Sequence, residues 1–143
     1  MHPLWAATPY HKMDIMRATV KARLLVGRYY LQSDLNKFRS TTSPCPLCHL
    51  DSEDLIRFLY FCPAFEYIRT RFKDELQNVF TACCSVLQLE DSSIDTILRT
   101  QMLLDISYLV SGSTPINEVE DVTRRFLYAL HCGRASLMNK PRQ

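Results

Sequence analysis

The stretch SPCPLCHLDSEDLIRFLYFCPAF, residues 43–65, carries three cysteines at a spacing suited to binding a metal ion. Cys45 and Cys48 form a Cys-x-x-Cys pair, and Cys62 follows at the far end of a short apolar run. Three thiolates can hold zinc, but a closed structural zinc site has four ligands. The position five residues before Cys62, where a histidine would complete the set, is Arg57. A guanidinium stays protonated at any useful pH and does not ligate a metal. The fourth ligand therefore stays open between His49, a carboxylate from Glu53 or Asp54, and a water molecule. His49 directly follows Cys48, so both reach one ion only if the loop turns sharply. Loss of the metal, with apolar packing alone holding the segment, is the remaining alternative.

Other chemistries find little support. A cysteine hydrolase would need Cys83 or Cys84 beside His131 as base, yet nothing in the spacing brings them together. Glycine-rich phosphate loops are absent, since the three glycines are scattered at 27, 112 and 133. The aromatics Tyr29, Tyr30, Phe58, Tyr60, Phe61 and Phe65 could stack on unpaired bases. At helical spacing most belong to a core, with Tyr60 or Phe61 left outside.

A chain of 143 residues with 47% hydrophobic and 22% charged residues suits one folded domain with a real core. The formal net charge is only +2, but it is unevenly spread. Residues 1–44 carry seven basic side chains against two acidic ones, a net +5, and the remainder is −3. A basic third beside a mildly acidic body points to a localised anionic partner. Arg17, Lys21 and Arg28 are expected on one side of a first helix, with Arg23, Lys37, Arg39 and Arg57 as further cations. No apolar run approaches the roughly 20 residues that span a bilayer. The N-terminus lacks a basic start followed by an apolar stretch, so no secretory leader is expected. Six cysteines in that setting imply a reduced, intracellular protein, nuclear or cytoplasmic. Cys83, Cys84 and Cys132 then read as small buried residues.

The elements that must position these groups read as helices. Ile15, Ala18, Ala22, Leu25 and Tyr29 repeat at helical spacing from Asp14 to about Gln32, with Gly27 a weak point inside the pattern. Residues 33–44 read as a polar connection. Asp51 or Ser52 is expected to cap a short helix faced by Leu55, Phe58 and Leu59. Pro63 leads into a clean stripe of Phe65, Ile68, Phe72, Leu76 and Val79. A third stretch starts near Ser92 or Ser93 with Ile94, Ile97, Leu98 and Leu104. After the SGSTP break at residues 111–115, Val119, Val122, Phe126, Leu130, Gly133 and Leu137 share the face of a last helix. The expectation is an all-α domain over residues 13–138 with a cysteine-bearing connector at 45–62. A disordered arm over 1–12 and a flexible terminus over 139–143 flank it.

Taken together, these residues resemble a known family. CPLCHLDSEDLIRFLYFCPAF is similar to the zinc-binding segment near the C-terminus of non-LTR (LINE-type) retrotransposon reverse transcriptases. That pattern runs Cys-x2-Cys, an acidic stretch, then His-x4-Cys-Pro and an apolar or aromatic helix. VKARLLVGRYYLQSDLNKF (20–38) looks like the basic helix before it, and LRTQMLLDIS (98–107) and RRFLYALHCGRASLM (124–138) like the helices after it. Cys45, Cys48 and Cys62 match three family ligands, while Arg57 stands where the family has its histidine. The resemblance implies zinc and an accessory module that holds RNA template or target DNA, with no polymerase or endonuclease activity of its own. A metal-free helical structural or protein-interaction domain descended from such a tail is the alternative.

Overall fold

The computed structural model describes residues 12–88, 95–106 and 116–139. All regular structure among them is helical, as the sequence implies. The order is α1 (Lys12–Leu25), α2 (Gln32–Arg39), a π-helical turn (Arg57–Phe61), a 3-10 turn (Pro63–Phe65), α3 (Glu66–Leu87), α4 (Thr96–Leu104) and α5 (Ile116–Met138). Both α1 and α3 pack extensively on α5, which makes α5 the spine of the domain. Except for Lys12 and Asn139, the expected arm and tail lie outside the described residues, as do Ser92, Ser93, Ile94 and the SGSTP break. No helix among the described residues is long and apolar enough to cross a membrane.

The two strongest stripes form the core as their spacing dictates. Phe65, Ile68, Phe72 and Val79 are buried and Leu76 is partly so. They face Val119, Val122, Phe126 and Leu130 of α5, with Phe72 and Phe126 meeting at ring centroids 5.6 Å apart. Gly133 sits where α5 crosses the start of α3, and a β-carbon there would stand 2.7 Å from Ile68 Cδ1. Cys83 and Cys84 are buried, but Cys132 is exposed, contrary to its reading as an interior residue.

α1 departs from expectation in its face and in its end. Its interior face is Ala18, Val20, Lys21 and Leu24, whereas Ile15 is exposed and Leu25 and Tyr29 are half-buried. Gly27 does not weaken the helix from within; it stops it. At φ +73° it adopts the left-handed conformation that glycine enters without steric cost. The Arg28 amide then donates to the Arg23 carbonyl at 2.8 Å and the Gly27 amide reaches back to the Leu24 carbonyl, closing a Schellman motif.

Lys21 is the largest correction. Rather than joining a basic exterior with Arg17 and Arg28, it is wholly buried. Its Nζ donates to Glu120 Oε1 at 2.9 Å and to Thr123 Oγ1 at 2.8 Å. Arg124 Nε reaches the other Glu120 oxygen at 3.4 Å. Burial pushes the Lys21 amine below the usual lysine range, with Glu120 opposing that shift. The reason the face rotates is thus a buried acceptor on α5 that no local pattern in α1 announces.

The polar connection is also helical in part. In α2 the Leu31 amide donates to Asp34 Oδ2 at 3.0 Å, the reciprocal half of a capping box. The next amide, Gln32, donates to Glu53 Oε1 at 2.9 Å, and Ser33 donates to the Glu53 carbonyl at 2.9 Å. Ser40 ends the helix in the left-handed region at φ 52°. No side chain of α2 is buried, so its ends rather than its faces hold it in place.

In α4 the cap is Asp95, whose carboxylate accepts from the Leu98 amide at 2.8 Å. Ile97 is 72% exposed, whereas Leu104 is buried as its spacing implies, joined by Met102 and Leu103. Among the residues expected to be buried, Phe58, Phe72 and Phe126 are so, while Leu25 and Leu98 only pack partly against the core.

Two consequences are measurable. Lys21→Met should cost about 3 kcal/mol by urea unfolding, because it strips a cation from a buried carboxylate that keeps only Arg124. Lys37→Met, on the exposed end of α2, should stay within about 0.5 kcal/mol. Equal, small effects would place the Lys21 amine in solvent. The second concerns His131, whose Nδ1 lies 2.8 Å from the Tyr29 hydroxyl. Burial, then Arg23 and Arg134, hold its pKa below the ordinary 6.5. The folded state therefore resists a proton that the unfolded chain accepts, so this contribution is complete above 6.5 and is lost on acidification. Urea midpoints should drop between pH 7.5 and 5.5, and His131→Phe should flatten that drop.

Candidate metal centre

The cysteine loop is built from backbone hydrogen bonds. The Cys45 amide donates to the Asp51 carbonyl at 2.7 Å, and the His49 amide donates to the Cys45 carbonyl at 3.0 Å. Between them residues 46–48 turn tightly, and His49 takes a left-handed φ of 59°. This winding aims amides at sulfur. Leu47 and Cys48 donate to Cys45, Leu50 and Asp51 to Cys48, and Ala64 to Cys62. Amides directed at a sulfur favour the charged thiolate, the form that binds a metal.

Cys62 arrives from the other side, at the end of the π-helical turn. Asp54 begins that turn by accepting from the Arg57 amide at 2.9 Å, so the cap is Asp54 rather than Asp51 or Ser52. The carbonyls of this turn converge on Arg69 of α3, which donates to four of them. Its Nε donates to Leu59 O at 2.9 Å, Nη1 to Cys62 O at 2.7 Å, and Nη2 to Arg57 O and Phe58 O at 3.2 and 3.1 Å. Phe58 and Leu59 are thereby driven fully into the core, and Cys62 is set at its edge.

The result is convergence. The sulfurs of Cys45, Cys48 and Cys62 all lie within 4.8 Å of one another, with Cys45 and Cys62 4.0 Å apart. Tetrahedral thiolate ligation at bonds of ~2.3 Å sets sulfurs about 3.8 Å apart, so only a small inward shift is needed. All six cysteines are free, and no disulfide competes for these three. Burial is the main influence raising Cys45 and pushes Cys62 up to about 12. Burial also acts upward on Cys48, but the amides of Leu50 and Asp51 and the thiols of Cys45 and Cys62 together bring it below the ordinary value.

No fourth protein ligand joins the three among the described residues. His49 is exposed and stands outside the cluster. The Glu53 carboxylate is buried and taken by Arg134, whose Nε and Nη2 donate at 2.9 and 2.7 Å. Asp54 is committed to its cap. Arg57 pairs with Asp51 at 2.9 Å, beside the loop rather than in the cluster.

The remaining cations separate into groups. Arg17 leans toward Asp14 at 3.7 Å, and its Nε is a buried nitrogen without a hydrogen-bond partner. Arg23, Arg28, Lys37 and Arg39 are all exposed. The last three lie beside a pair of exposed aromatics, since Arg28 is two residues before Tyr30, Lys37 and Arg39 flank Phe38, and the two rings meet edge to face at 5.6 Å. Among the aromatics, Tyr29 stacks on Phe58, and Phe58 meets Phe65 edge to face inside the core. Tyr60 is tied to Thr100 at 3.0 Å, while Phe61 is exposed as anticipated. Sequence reasoning missed Phe38, Arg69, Arg134 and the role of Glu53. Only Phe38 had a local signal, an aromatic set between two cations.

The fold and the site define a small all-α domain bearing a three-thiol centre able to bind a metal ion. No protein-family model, curated protein or solved structure matches this chain.

Cobalt(II) should report on the centre directly, through a thiolate-to-metal charge-transfer band in the near ultraviolet. Replacing Cys45, Cys48 or Cys62 by alanine should abolish or sharply weaken that band, while Cys132→Ala leaves it intact. Arg69→Met should weaken cobalt binding by roughly 10- to 100-fold, as loss of outer support does at metal sites. An unchanged titration in all three cysteine variants would exclude the centre.

Proposed function

We propose that this chain is a zinc-stapled helical module that holds nucleic acid, of the kind that accompanies LINE-type reverse transcriptases, without polymerase or endonuclease chemistry of its own. Zinc suits three cysteine thiolates in a tetrahedral set, with water as the fourth ligand because Glu53 and Asp54 are engaged and His49 stands apart. In this role the ion is structural: it ties the loop that carries Cys45 and Cys48 to the turn that carries Cys62.

The observation that carries the nucleic-acid reading is the exposed basic corner. Arg28, Lys37 and Arg39 adjoin the Tyr30–Phe38 contact in sequence, Arg23 stands just before the end of α1, and none of the four exposed cations has a salt bridge among the described residues. Unpaired cations on a surface attract phosphate, and binding them to a nucleic-acid backbone releases counterions. Lys21 takes no part, being spent on Glu120. Arg57 sits partly exposed against Asp51 and contributes little free charge.

Fluorescence anisotropy with labelled RNA and DNA tests this. Four phosphate contacts should give a log K against log salt slope of about −3 on a single strand. Changing Arg23, Arg28, Lys37 and Arg39 together to glutamate should abolish binding at low salt without loss of helicity. If the unaltered protein binds neither RNA nor DNA at low ionic strength, the helical protein-interaction domain replaces this reading.

A further inference from the structure

We propose that Tyr30 and Phe38 form a stacking platform for unpaired bases, which makes the ligand of the basic corner single-stranded nucleic acid rather than duplex. This rests on the nucleic-acid reading above and names the substrate class of the same surface.

Phe38 is 69% exposed and Tyr30 46% exposed. Their rings touch each other, with centroids 5.6 Å apart and planes at 81°. An edge-to-face pair leaves a free face on each ring, and bases stack on such faces with little regard to sequence. Neither ring is needed to build the domain: α2 buries no side chain, and its start is held through Leu31, Asp34 and Glu53. Leu31, 2% exposed, anchors the connection immediately after Tyr30. The platform is therefore held from below while its upper surface stays open.

The charge around it matches one kind of occupant. Lys37 and Arg39 flank Phe38 in sequence, and Arg28 lies two residues before Tyr30. The nearest acids are already engaged, Asp34 with the Leu31 amide and Asp51 with Arg57. Cations for phosphate and two open rings for bases thus occur on neighbouring residues of one exposed stretch. In a duplex the base faces are already stacked and closed to side chains, so only the cations would be used.

The test compares a 2-aminopurine-labelled 20-nucleotide single strand with its duplex, at matched salt. The single strand should bind at least about tenfold more tightly, and its 2-aminopurine fluorescence should change as the base stacks. In Tyr30→Ala/Phe38→Ala, single-strand affinity should fall roughly 10- to 100-fold while duplex affinity and the salt slope stay unchanged. Tyr30→Phe/Phe38→Tyr should retain the preference, and far-UV circular dichroism should show all variants folded. Single-strand binding that survives loss of both rings, or a fall equal for strand and duplex, overturns the platform while leaving the charge-based reading in place. Absence of any binding by the unaltered protein overturns both.

Discussion

A carboxylate taken out of water must be given donors in return, and Glu53 is given them from two directions. Its oxygens receive the Arg134 guanidinium of α5 and the Gln32 amide at the start of α2. Its own carbonyl takes the neighbouring Ser33 amide. One buried residue thus fastens the cysteine loop, the first turn of α2 and the far end of α5 to a single point. A fork-shaped guanidinium suits this role because two parallel hydrogen bonds fix direction as well as distance. Removing either partner would leave the other charged and buried, a loss of about 3–5 kcal/mol at such sites. α2 has no buried side chain of its own, so the basic corner and its two aromatic rings inherit their position from this pair.

Two further arginines and a lysine do work related to that of Arg134, which is why a count of charges misdescribes the surface. Lys21 and Arg124 meet on Glu120 at the α1–α5 interface. Arg69 supplies donors to four carbonyls at the turn before α3. Arg134 holds Glu53. These cations are directed inward, to carboxylates or backbone oxygen; in the basic N-terminal third Lys21 is buried and Arg17 leans on Asp14, which leaves Lys12, Arg23, Arg28, Lys37 and Arg39 exposed. The local excess of charge is real, but it is narrower than the sequence count and, Lys12 apart, sits at the end of α1 and along α2.

What could be read from sequence was whatever repeats locally. The Phe65–Val79 and Val119–Leu130 stripes announce their own faces, since each residue advances by a fixed angle around its axis. The cysteine spacing likewise announced a three-thiol cluster, because a Cys-x-x-Cys turn confines two sulfurs and needs only one more. Long-range partners leave no such mark. Glu53 and Arg134 are 81 residues apart, and Lys21 and Glu120 are 99 apart. Lys21 in a helix full of cations looks solvated until its acceptor is seen. Gly27 illustrates a nearer ambiguity: a glycine inside an apolar pattern can weaken a helix or end it, and here the left-handed conformation decides. The short α2 was hidden for a similar reason, as its cap comes in part from Glu53 rather than from its own segment.

The centre and the core are not independent. Cys45 and Cys62 belong to the same buried cluster as Phe58, Leu59 and Phe65, so without a metal they can pack as small apolar side chains. A metal would therefore not have to create this fold, unlike the ion in a minimal zinc finger, whose peptide has no core without it. Its physical effect would fall on Cys48, the half-buried member, and on the turn from Pro46 to His49 that carries it. The same loop reaches Asp51, which pairs with Arg57, and then Glu53, which caps α2. Restraint at the sulfurs is thus passed through a few residues of hydrogen-bonded backbone to the helix that presents Phe38, Lys37 and Arg39. The Glu53 hydrogen bonds set where that helix begins, and metal binding would sharpen how rigidly it is held.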